Sequence, residues 1–240
     1  MQLRTLAETR PSPPEWASAF GGAEVTVIAE VKRRSPSAGA IATDLDPAAL
    51  ARAYAAGGAG AISVLTNQTF FAGSLGDLED VAQAVSLPLL RKDFIIDPVQ
   101  VYEARAAGAS AILLIVRVLD SEQLSDLARL ASELGLATLI EVHSHNELDQ
   151  GLRVAPRYVG VNSRDLATFR VDMDRMAEIL DAVPQGVTAV AESGIQHRKD
   201  VKLVASWGAD AVLVGTALVR SPHPDAAVRL LTGVSRRGRS

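Results

Sequence analysis

The feature that most constrains the fold is a short segment that recurs along the chain at multiples of 50 residues. In AAGGAGAISVL, AAGASAILLIV and ASWGADAVLVG, a helix-like stretch ends at a glycine and an aliphatic run follows. The matching glycines are Gly58, Gly108 and Gly208. Glycine just past a helix supplies a left-handed terminal position, and the aliphatic run is typical of a buried strand. Because 50 residues accommodate two such units, we predict repeated β-α units along the chain.

Eight strands and eight helices can be predicted in alternation. The predicted strands are Val25–Val31, Ala61–Leu65, Leu87–Arg91, Ala111–Val116, Ala137–Val142, Tyr158–Val161, Thr188–Ala191 and Ala211–Val214. The predicted helices are Pro47–Ala56, Leu75–Val85, Pro98–Ala107, Ser121–Leu134, Asn146–Val154, Met173–Val183, Arg198–Trp207 and Asp225–Leu231. Apolar strands that each precede a helix predict a parallel sheet covered on its outer face. Eight such units in 240 residues predict the α/β class and a single (β/α)8 TIM barrel. An open doubly wound sheet is the alternative, although no GxGxxG sequence follows the first strand.

Composition and the chain ends narrow the function classes. One barrel domain spans residues 1–240, with a short N-terminal segment at 1–23 and a flexible tail at 233–240. A net charge of -4 argues against a nucleic-acid partner. No cysteine is present, which excludes disulfides, thiolate metal sites and a cysteine nucleophile, and fits a reducing cytoplasm. The N-terminus lacks the apolar core of a secretion signal and no run approaches a membrane span. We therefore predict a cytoplasmic protein with no membrane partner.

Charged and polar side chains stand where the predicted strands end. These residues are Glu30, Lys32, Lys92, Glu141, Asn162 and Glu192. TIM barrels carry their chemistry at the C-terminal ends of the strands, so the six side chains should form one polar cup. Carboxylates and ammonium groups packed together shift one another's pKa values, so that one can act as an acid and another as a base. The alternative is a set of ion pairs that closes the barrel mouth without chemistry.

Two glycine-bearing loops follow the last two predicted strands. AESG continues from Glu192 into Ser193 and Gly194, and VLVGTALV continues into Gly215 and Thr216. Glycine allows backbone N–H groups to approach a phosphate closely, and these two loops are the usual phosphate site of a TIM barrel. The pair predicts a phosphate-bearing substrate, and a simple tight turn at each position is the alternative.

Two further patterns are weaker. Glu141, His143 and His145 alternate in EVHSH and could suggest a metal site, but a third or fourth ligand of matching geometry is lacking. Phe70 and Phe71 follow the second predicted strand. Aromatic residues are only 4% of the chain, so this pair could line a pocket for an aromatic substrate, with core packing as the alternative.

A family resemblance joins these motifs. VIAEVKRRSPSAG, LTNQTFFAGSL, LLRKDFIID, LLIV, EVHSHNEL, GVNSRDLATF, AESGI and VLVGTALV resemble indole-3-glycerol phosphate synthase, in order from about residue 25 to residue 220. The resemblance implies a lyase of tryptophan biosynthesis that closes the indole ring of 1-(2-carboxyphenylamino)-1-deoxyribulose 5-phosphate, with loss of CO2 and water. It implies no cofactor and no metal, a small sugar-phosphate substrate, and other tryptophan-pathway enzymes as candidate partners.

The resemblance also implies roles for particular residues. Lys92 matches the general acid that protonates the substrate ketone, and Glu141 matches the acid/base of the dehydration. Glu30, Lys32 and Asn162 match supporting groups, with Lys32 at the substrate carboxylate, and Glu192 matches a ligand of the sugar hydroxyls. Phosphate-binding positions are matched by Ser35, Ser193, Gly194, Gly215 and Thr216. The pocket around the anthranilate ring is matched by Phe71 and Leu113, with Arg164 as an orienting residue nearby.

The chain departs from the family in a few places. Members usually have a longer N-terminal segment that helps to cover the mouth, so a reduced lid is expected here. The rim has Asn67, Gln68 and Thr69 where acidic residues and a lysine are common, and Ala38 follows Ser37 in place of lysine. Two other functions are weighed against the lyase: an aldolase-type enzyme with Lys92 as a Schiff-base nucleophile, and a phosphate-binding barrel without catalysis.

Overall fold

The structure is a computed structural model that describes residues 2–165 and 167–238. Its strands are β1 (Thr26–Val31), β2 (Arg34–Ser35), β3 (Gly39–Ala40), β4 (Ala61–Leu65), β5 (Leu89–Lys92), β6 (Ala111–Ile115), β7 (Ala137–Val142), β8 (Tyr158–Asn162), β9 (Thr188–Glu192) and β10 (Ala211–Val214). Its helices are α1 (Gln2–Thr9), α2 (Pro47–Ala56), α3 (Gln68–Phe71), α4 (Leu75–Ala84), α5 (Pro98–Ala107), α6 (Ser121–Glu133), α7 (His145–Gly151), α8 (Met173–Ala182), α9 (Arg198–Ser206), α10 (Thr216–Val219) and α11 (Pro224–Leu231). Single 3-10 turns lie at Trp16–Phe20, Val116–Val118 and Leu152–Val154.

Eight parallel strands close into a barrel in the order β1-β10-β9-β8-β7-β6-β5-β4. The prediction of a (β/α)8 TIM barrel is therefore confirmed, and the open-sheet alternative is wrong because β1 pairs with both β4 and β10. The predicted strand at 87–91 begins two residues late, at Leu89, and extends to Lys92. Proline has no N–H to donate to a strand ladder, so Pro88 accounts for the later start. The hairpin of β2 and β3 and the short helices α3 and α10 are additions in the loops.

Alternation along each strand divides the apolar residues into two cores. One set of strand side chains packs outward against the helices, and the other fills the barrel interior. The N-terminal end of the interior is closed by an aromatic cluster of Trp16, Phe20 and Tyr158. Ring centroids are 5.4 Å apart for Trp16 and Phe20 and 5.3 Å apart for Phe20 and Tyr158. This plug lies at the opposite end of the barrel from the predicted polar cup.

The N-terminal segment lies along the outside and the base of the barrel. Helix α1 packs against α5, and the buried Arg105 guanidinium donates to the carbonyl oxygens of Arg10 at 2.7 Å and Pro11 at 3.2 Å. The same side chain donates to the carbonyl of Leu134 at 3.1 Å. The described part of this segment therefore lies on the outside and at the base of the barrel.

Residues 234–236 pair with the segment that precedes β1. Val25 N–H donates to the carbonyl of Val234 at 2.7 Å, and Arg236 N–H donates to the carbonyl of Ala23 at 2.9 Å. The flexible tail at 233–240 stays a prediction. Residues 239 and 240 lie outside the described part of the chain. No helix among the described residues has both the length and the hydrophobicity needed to cross a membrane.

Candidate active site

The predicted catalytic side chains meet at the C-terminal end of the barrel. Five of them belong to strands and face its interior: Glu30 of β1, Lys92 of β5, Glu141 of β7, Asn162 of β8 and Glu192 of β9. Lys32 lies directly after β1, two residues beyond Glu30 and therefore on the same side. Its Nζ contacts Glu30 Oε1 at 2.5 Å. The structure thus brings together the whole set that the strand ends predicted.

Lys92 occupies the centre of the cup between two carboxylates. Its Nζ lies 3.5 Å from Glu141 Oε2 and 3.6 Å from Glu192 Oε2. Burial alone would lower the pKa of Lys92, but the negative charges of Glu141, Glu192 and Glu30 outweigh it and raise that pKa. Lys92 is therefore favoured as an ammonium ion at neutral pH.

The two buried glutamates next to Lys92 are driven toward opposite protonation states. Burial raises the pKa of Glu192 well above its usual range, and the charge of Glu141 adds to this effect. Burial also raises the pKa of Glu141, but the charges of Lys92 and His143 and the amide of Asn162 outweigh it and lower that pKa. The directions of the two shifts therefore favour Glu141 as the carboxylate and Glu192 as the protonated acid.

Two glycines leave the space that the side chains of Glu192 and Glu30 occupy. A β-carbon at Gly160 would overlap Glu192 Oε1, and a β-carbon at Gly215 would overlap Glu30 Oε1. At Gly215 it would also come within 2.9 Å of Lys32 Nζ. Gly215 therefore brings the loop after β10 against the Glu30–Lys32 pair. The close approach at Gly160 was missed by sequence reasoning, since nothing in YVGVN distinguishes a packing glycine from any other.

The predicted phosphate loops have backbones of unusual conformation. Ser193 and Gly194 both have positive φ, at 66° and 78°. The left-handed region costs a non-glycine residue of order 1–3 kcal/mol, so the fold holds Ser193 there against its preference. Gly215 precedes α10, which starts at Thr216, and the first N–H groups of a helix have no partner inside it. Both loops thus present backbone N–H groups at the mouth.

Ser35, the other predicted phosphate ligand, lies in the hairpin after β1. Its hydroxyl accepts a hydrogen bond from the N–H of Ala38 at 3.1 Å and lies 3.4 Å from the Ser37 hydroxyl. The hairpin packs against α3, which carries Phe70 and Phe71. Ser35 therefore lies in the loop region of the mouth, and contact with phosphate stays a prediction.

Aromatic rings gather on the side of the mouth that follows β4 and β5. Phe94 lies between Phe70 and Phe71, with ring centroids 5.8 Å and 6.5 Å away. Phe94 was missed as a site residue, although it stands two positions after Lys92. Leu113 is buried in the barrel interior in register with Leu139, one layer below the cup.

Ile115 is the aliphatic residue of β6 in register with Glu141. The sequence alone does not place Ile115 beside Glu141, because the residues that share an interior layer depend on the stagger between strands. Arg164 follows Asn162, and its N–H donates to the Asn162 side-chain oxygen at 3.0 Å. Its guanidinium donates to the carbonyl of Phe169 at 2.9 Å, so Arg164 holds the loop after β8 in shape.

The histidines of EVHSH do not form a metal site. His143 is completely buried, whereas His145 begins α7 on the surface. Within residues 2–165 and 167–238, no group of three or more His, Cys, Asp or Glu side chains is arranged to hold a metal ion. The third member of the pattern, Glu141, contacts Lys92 instead.

Comparison with known proteins gives one consistent result. The family model for indole-3-glycerol phosphate synthase matches residues 6–231. An indole-3-glycerol phosphate synthase of Mycobacterium avium (strain 104) is 48% identical over 227 residues, covering 95% of this chain and 84% of the relative. That of Parafrankia sp. (strain EAN1pec) is 49% identical over 222 residues, covering 92% of this chain and 83% of the relative.

Solved structures show the same fold at low identity. Thiamine phosphate pyrophosphorylase from Pyrococcus furiosus has a TM-score of 0.65 at 17% identity, covering 89% of this chain and 94% of that one. The 3-hexulose-6-phosphate synthase of Salmonella typhimurium has a TM-score of 0.68 at 15% identity, covering 86% and 96%. These two similarities concern the fold alone. The family match and the two relatives decide the function: the chain belongs to the indole-3-glycerol phosphate synthase family, the carboxy-lyases that form the indole ring in tryptophan biosynthesis.

Proposed function

We propose that Lys92 is the proton donor for ring closure of 1-(2-carboxyphenylamino)-1-deoxyribulose 5-phosphate at the barrel mouth. The observation that carries this proposal is the position of its Nζ between Glu141 and Glu192. As the aromatic ring carbon attacks the substrate ketone, negative charge develops on the ketone oxygen. A buried ammonium group is suited to protonate that oxygen, and a positioned acid contributes about 10²–10⁴-fold in rate.

The same position argues against Schiff-base chemistry. A lysine can attack a carbonyl only as a neutral amine, and nucleophilic lysines in proteins have lowered pKa values. Here the neighbouring carboxylates raise the pKa of Lys92. The amine would therefore be present in a very small fraction, and the acid role is favoured over the aldolase-type alternative.

Glu141 is assigned to the later proton transfers and Glu192 to the sugar. After ring closure the substrate loses CO2 and then a hydroxyl group as water, which requires removal of one proton from carbon and delivery of one to the leaving hydroxyl. Ionised Glu141 can accept the first proton and, once protonated, deliver it to the hydroxyl, while Glu192 can donate a hydrogen bond to a sugar hydroxyl. Asn162 supports Glu141, since its amide lowers the pKa of that carboxyl.

The two anionic ends of the substrate are assigned to separate groups of the cup. Lys32 is assigned to the substrate carboxylate, and Glu30 holds its ammonium in place at 2.5 Å. The phosphate is assigned to the loops that contain Ser35, Ser193–Gly194 and Gly215–Thr216. The paired left-handed residues Ser193 and Gly194 support this assignment, because backbone strain of this kind clusters at ligand sites.

The aromatic ring of the substrate is assigned to the cluster of phenylalanines. Phe71 lines this side together with Phe94, and Leu113 supports the pocket from the layer below. Arg164 orients the loop that follows Asn162. The three reaction steps involve no net oxidation or reduction, so the proposed chemistry calls for no redox cofactor.

The test is turnover of the carboxyphenylamino-deoxyribulose phosphate, followed by indole fluorescence. Lys92→Ala should reduce kcat by at least about 10²-fold while the protein stays folded. Lys199→Ala removes an exposed lysine from α9 and should leave kcat unchanged. A fully active Lys92→Ala protein would remove the assigned role.

The alternatives give other outcomes in the same experiments. Borohydride trapping of a covalent adduct on Lys92 would support the Schiff-base enzyme. Tight binding of the substrate without turnover in the wild-type protein would support a phosphate-binding barrel.

We also propose that the enzyme works in the cytoplasm beside other enzymes of tryptophan biosynthesis. The family's biosynthetic reaction and the absence of cysteine from the sequence support this location. Cell fractionation and co-purification with the enzyme that supplies the substrate would test both points.

A further inference from the structure

We propose that His143 is a positioning residue for Glu141, anchored from behind by Glu147 and Arg117. This inference rests on the proposed function, because it concerns the group assigned to the dehydration step. The four side chains form a continuous chain of contacts from the centre of the cup to the protein surface. Neither the metal pattern considered from the sequence nor the resemblance assigns His143 a role.

The contacts define which atom of each group faces which neighbour. Glu141 Oε2 faces Lys92 Nζ at 3.5 Å, whereas Glu141 Oε1 faces His143 Nε2 at 3.3 Å. On the other side of the imidazole, His143 Nδ1 lies 3.1 Å from Glu147 Oε2. The histidine side chain is completely buried, and its Nε2 forms no hydrogen bond within the described residues. His143 therefore contacts one oxygen of Glu141 and leaves the other to the reaction centre.

Glu147 is fixed as a carboxylate by donors around it. Its Oε2 accepts the backbone N–H of His143 at 2.8 Å, and its Oε1 accepts Arg117 Nε at 2.8 Å. Burial raises the pKa of Glu147, but the hydrogen bonds from His143 and Arg117 outweigh it and lower that pKa. Arg117 is itself paired with Asp165 at 3.3 Å near the surface. An ionised Glu147 can only accept, so His143 Nδ1 carries a proton and donates it.

The remaining ring nitrogen then faces a second carboxylate. His143 Nε2 lies 3.3 Å from Glu141 Oε1, and His143 contributes to lowering the pKa of Glu141. The arrangement therefore holds Glu141 ionised and fixes the plane of its carboxylate, so that Oε2 points at Lys92 and the substrate.

Charged groups approach this pair from several elements around it. Glu141 is approached by Lys92 of β5, Glu192 of β9 and His143 beyond the end of β7, and its pKa is also lowered by the amide of Asn162 in β8. His143 is approached by Glu141 and by Glu147 of α7. Because His143 contributes to lowering the pKa of Glu141, Glu141 would accept a proton more readily without it. The active, ionised form would then be lost at a higher pH.

The experiment compares His143→Gln and His143→Leu with His145→Gln. Glutamine keeps a hydrogen-bond donor, and leucine removes it. His145 is an exposed histidine two residues away, and within residues 2–165 and 167–238 no hydrogen bond or ion pair joins it to these groups. Turnover is measured with the carboxyphenylamino-deoxyribulose phosphate from pH 5 to pH 9, and urea unfolding checks that each variant is folded.

We expect His143→Gln to lower kcat by about tenfold and to move the acid limb of kcat/KM to higher pH, with KM changed less than about threefold. His143→Leu should lower kcat further in the same direction, and His145→Gln should match the wild type.

Two results would overturn the inference. One is an acid limb that stays in place in both His143 variants. The other is a loss of the same size at every pH with a parallel rise in KM, which is the behaviour of a purely structural residue. Failure of the wild-type protein to turn over the substrate would instead contradict the proposed function, so the two failures are distinguishable.

Discussion

Replacing Gly160 by alanine should disable catalysis while leaving the barrel folded. A β-carbon at this position overlaps Glu192 Oε1 and comes within 3.3 Å of Glu192 Cδ and 3.5 Å of Leu139 Cγ. Ordinary contacts begin near 3.4 Å, so the carboxyl group must retreat by about 1 Å. Glu192 is 1% exposed, and its other oxygen lies 3.6 Å from Lys92 Nζ. A shift of the carboxyl group therefore changes its contact with Lys92.

The size of the effect follows from this displacement. A misplacement of about 1 Å in a catalytic group costs about 10²-fold in rate, so kcat of Gly160→Ala should fall by that factor. Overpacking a well-filled interior costs about 1–3 kcal/mol, so the protein should remain folded but unfold at lower urea. Indole fluorescence gives kcat, and urea unfolding followed by circular dichroism gives the free energy.

A double-mutant cycle separates the collision from any general disturbance. In a Glu192→Ala background the colliding carboxyl group is absent, so Gly160→Ala should lower kcat by less than about threefold. Gly76→Ala is the matched control, since its β-carbon has nothing closer than Ser74 Oγ at 3.5 Å. Wild-type kcat in Gly160→Ala would refute the reasoning, as would an equally large loss in both backgrounds.

Two further predictions concern stability. Burial and the charge of Glu30 raise the pKa of Tyr54, so the unfolded chain releases this proton first and the free energy of unfolding falls as the pH rises above about 10. Tyr54→Phe loses the hydrogen bond to the Glu30 carbonyl at 3.3 Å, so its free energy of unfolding should be lower by about 1 kcal/mol at neutral pH. Between pH 8 and pH 11 the urea midpoint of this variant should fall less than that of the wild type. Equal falls would contradict this. Arg105→Ala removes the donors to the carbonyls of Arg10 and Pro11. Limited proteolysis should then cut within the first 20 residues while kcat stays within about twofold, and an uncut segment would show that other contacts hold it.

The fold and the membership of the active site could be predicted because both depend on local order in the sequence. Aliphatic runs after glycines such as Gly108 mark the strands, and a polar residue at the end of a run marks the mouth of a barrel. Period-2 alternation then places Glu30 and Lys32 on one side without any knowledge of the neighbouring strands.

Properties that depend on distances between strands could not be predicted in the same way. The pKa values of Glu141 and Glu192 shift in opposite directions because of burial and of neighbours on other strands, which strand-end patterns do not measure. The role of Gly160 depends on a side chain 32 residues away on the next strand. The pairing of residues 234–236 with residues 23–25 could not be predicted either, because a basic, glycine-bearing sequence by itself resembles a solvated end.

The pairing of residues 23–25 with residues 234–236 also brings together the segments that begin and end the ring of strands. Because β1 and β10 are already hydrogen-bonded neighbours, the barrel has no obligatory first strand. If a short linker joined these two segments, new chain ends could be placed at another exposed turn, such as the one at Gly135, with every β-α unit retained. We therefore expect this protein to tolerate circular permutation at the base of the barrel, far from Lys92.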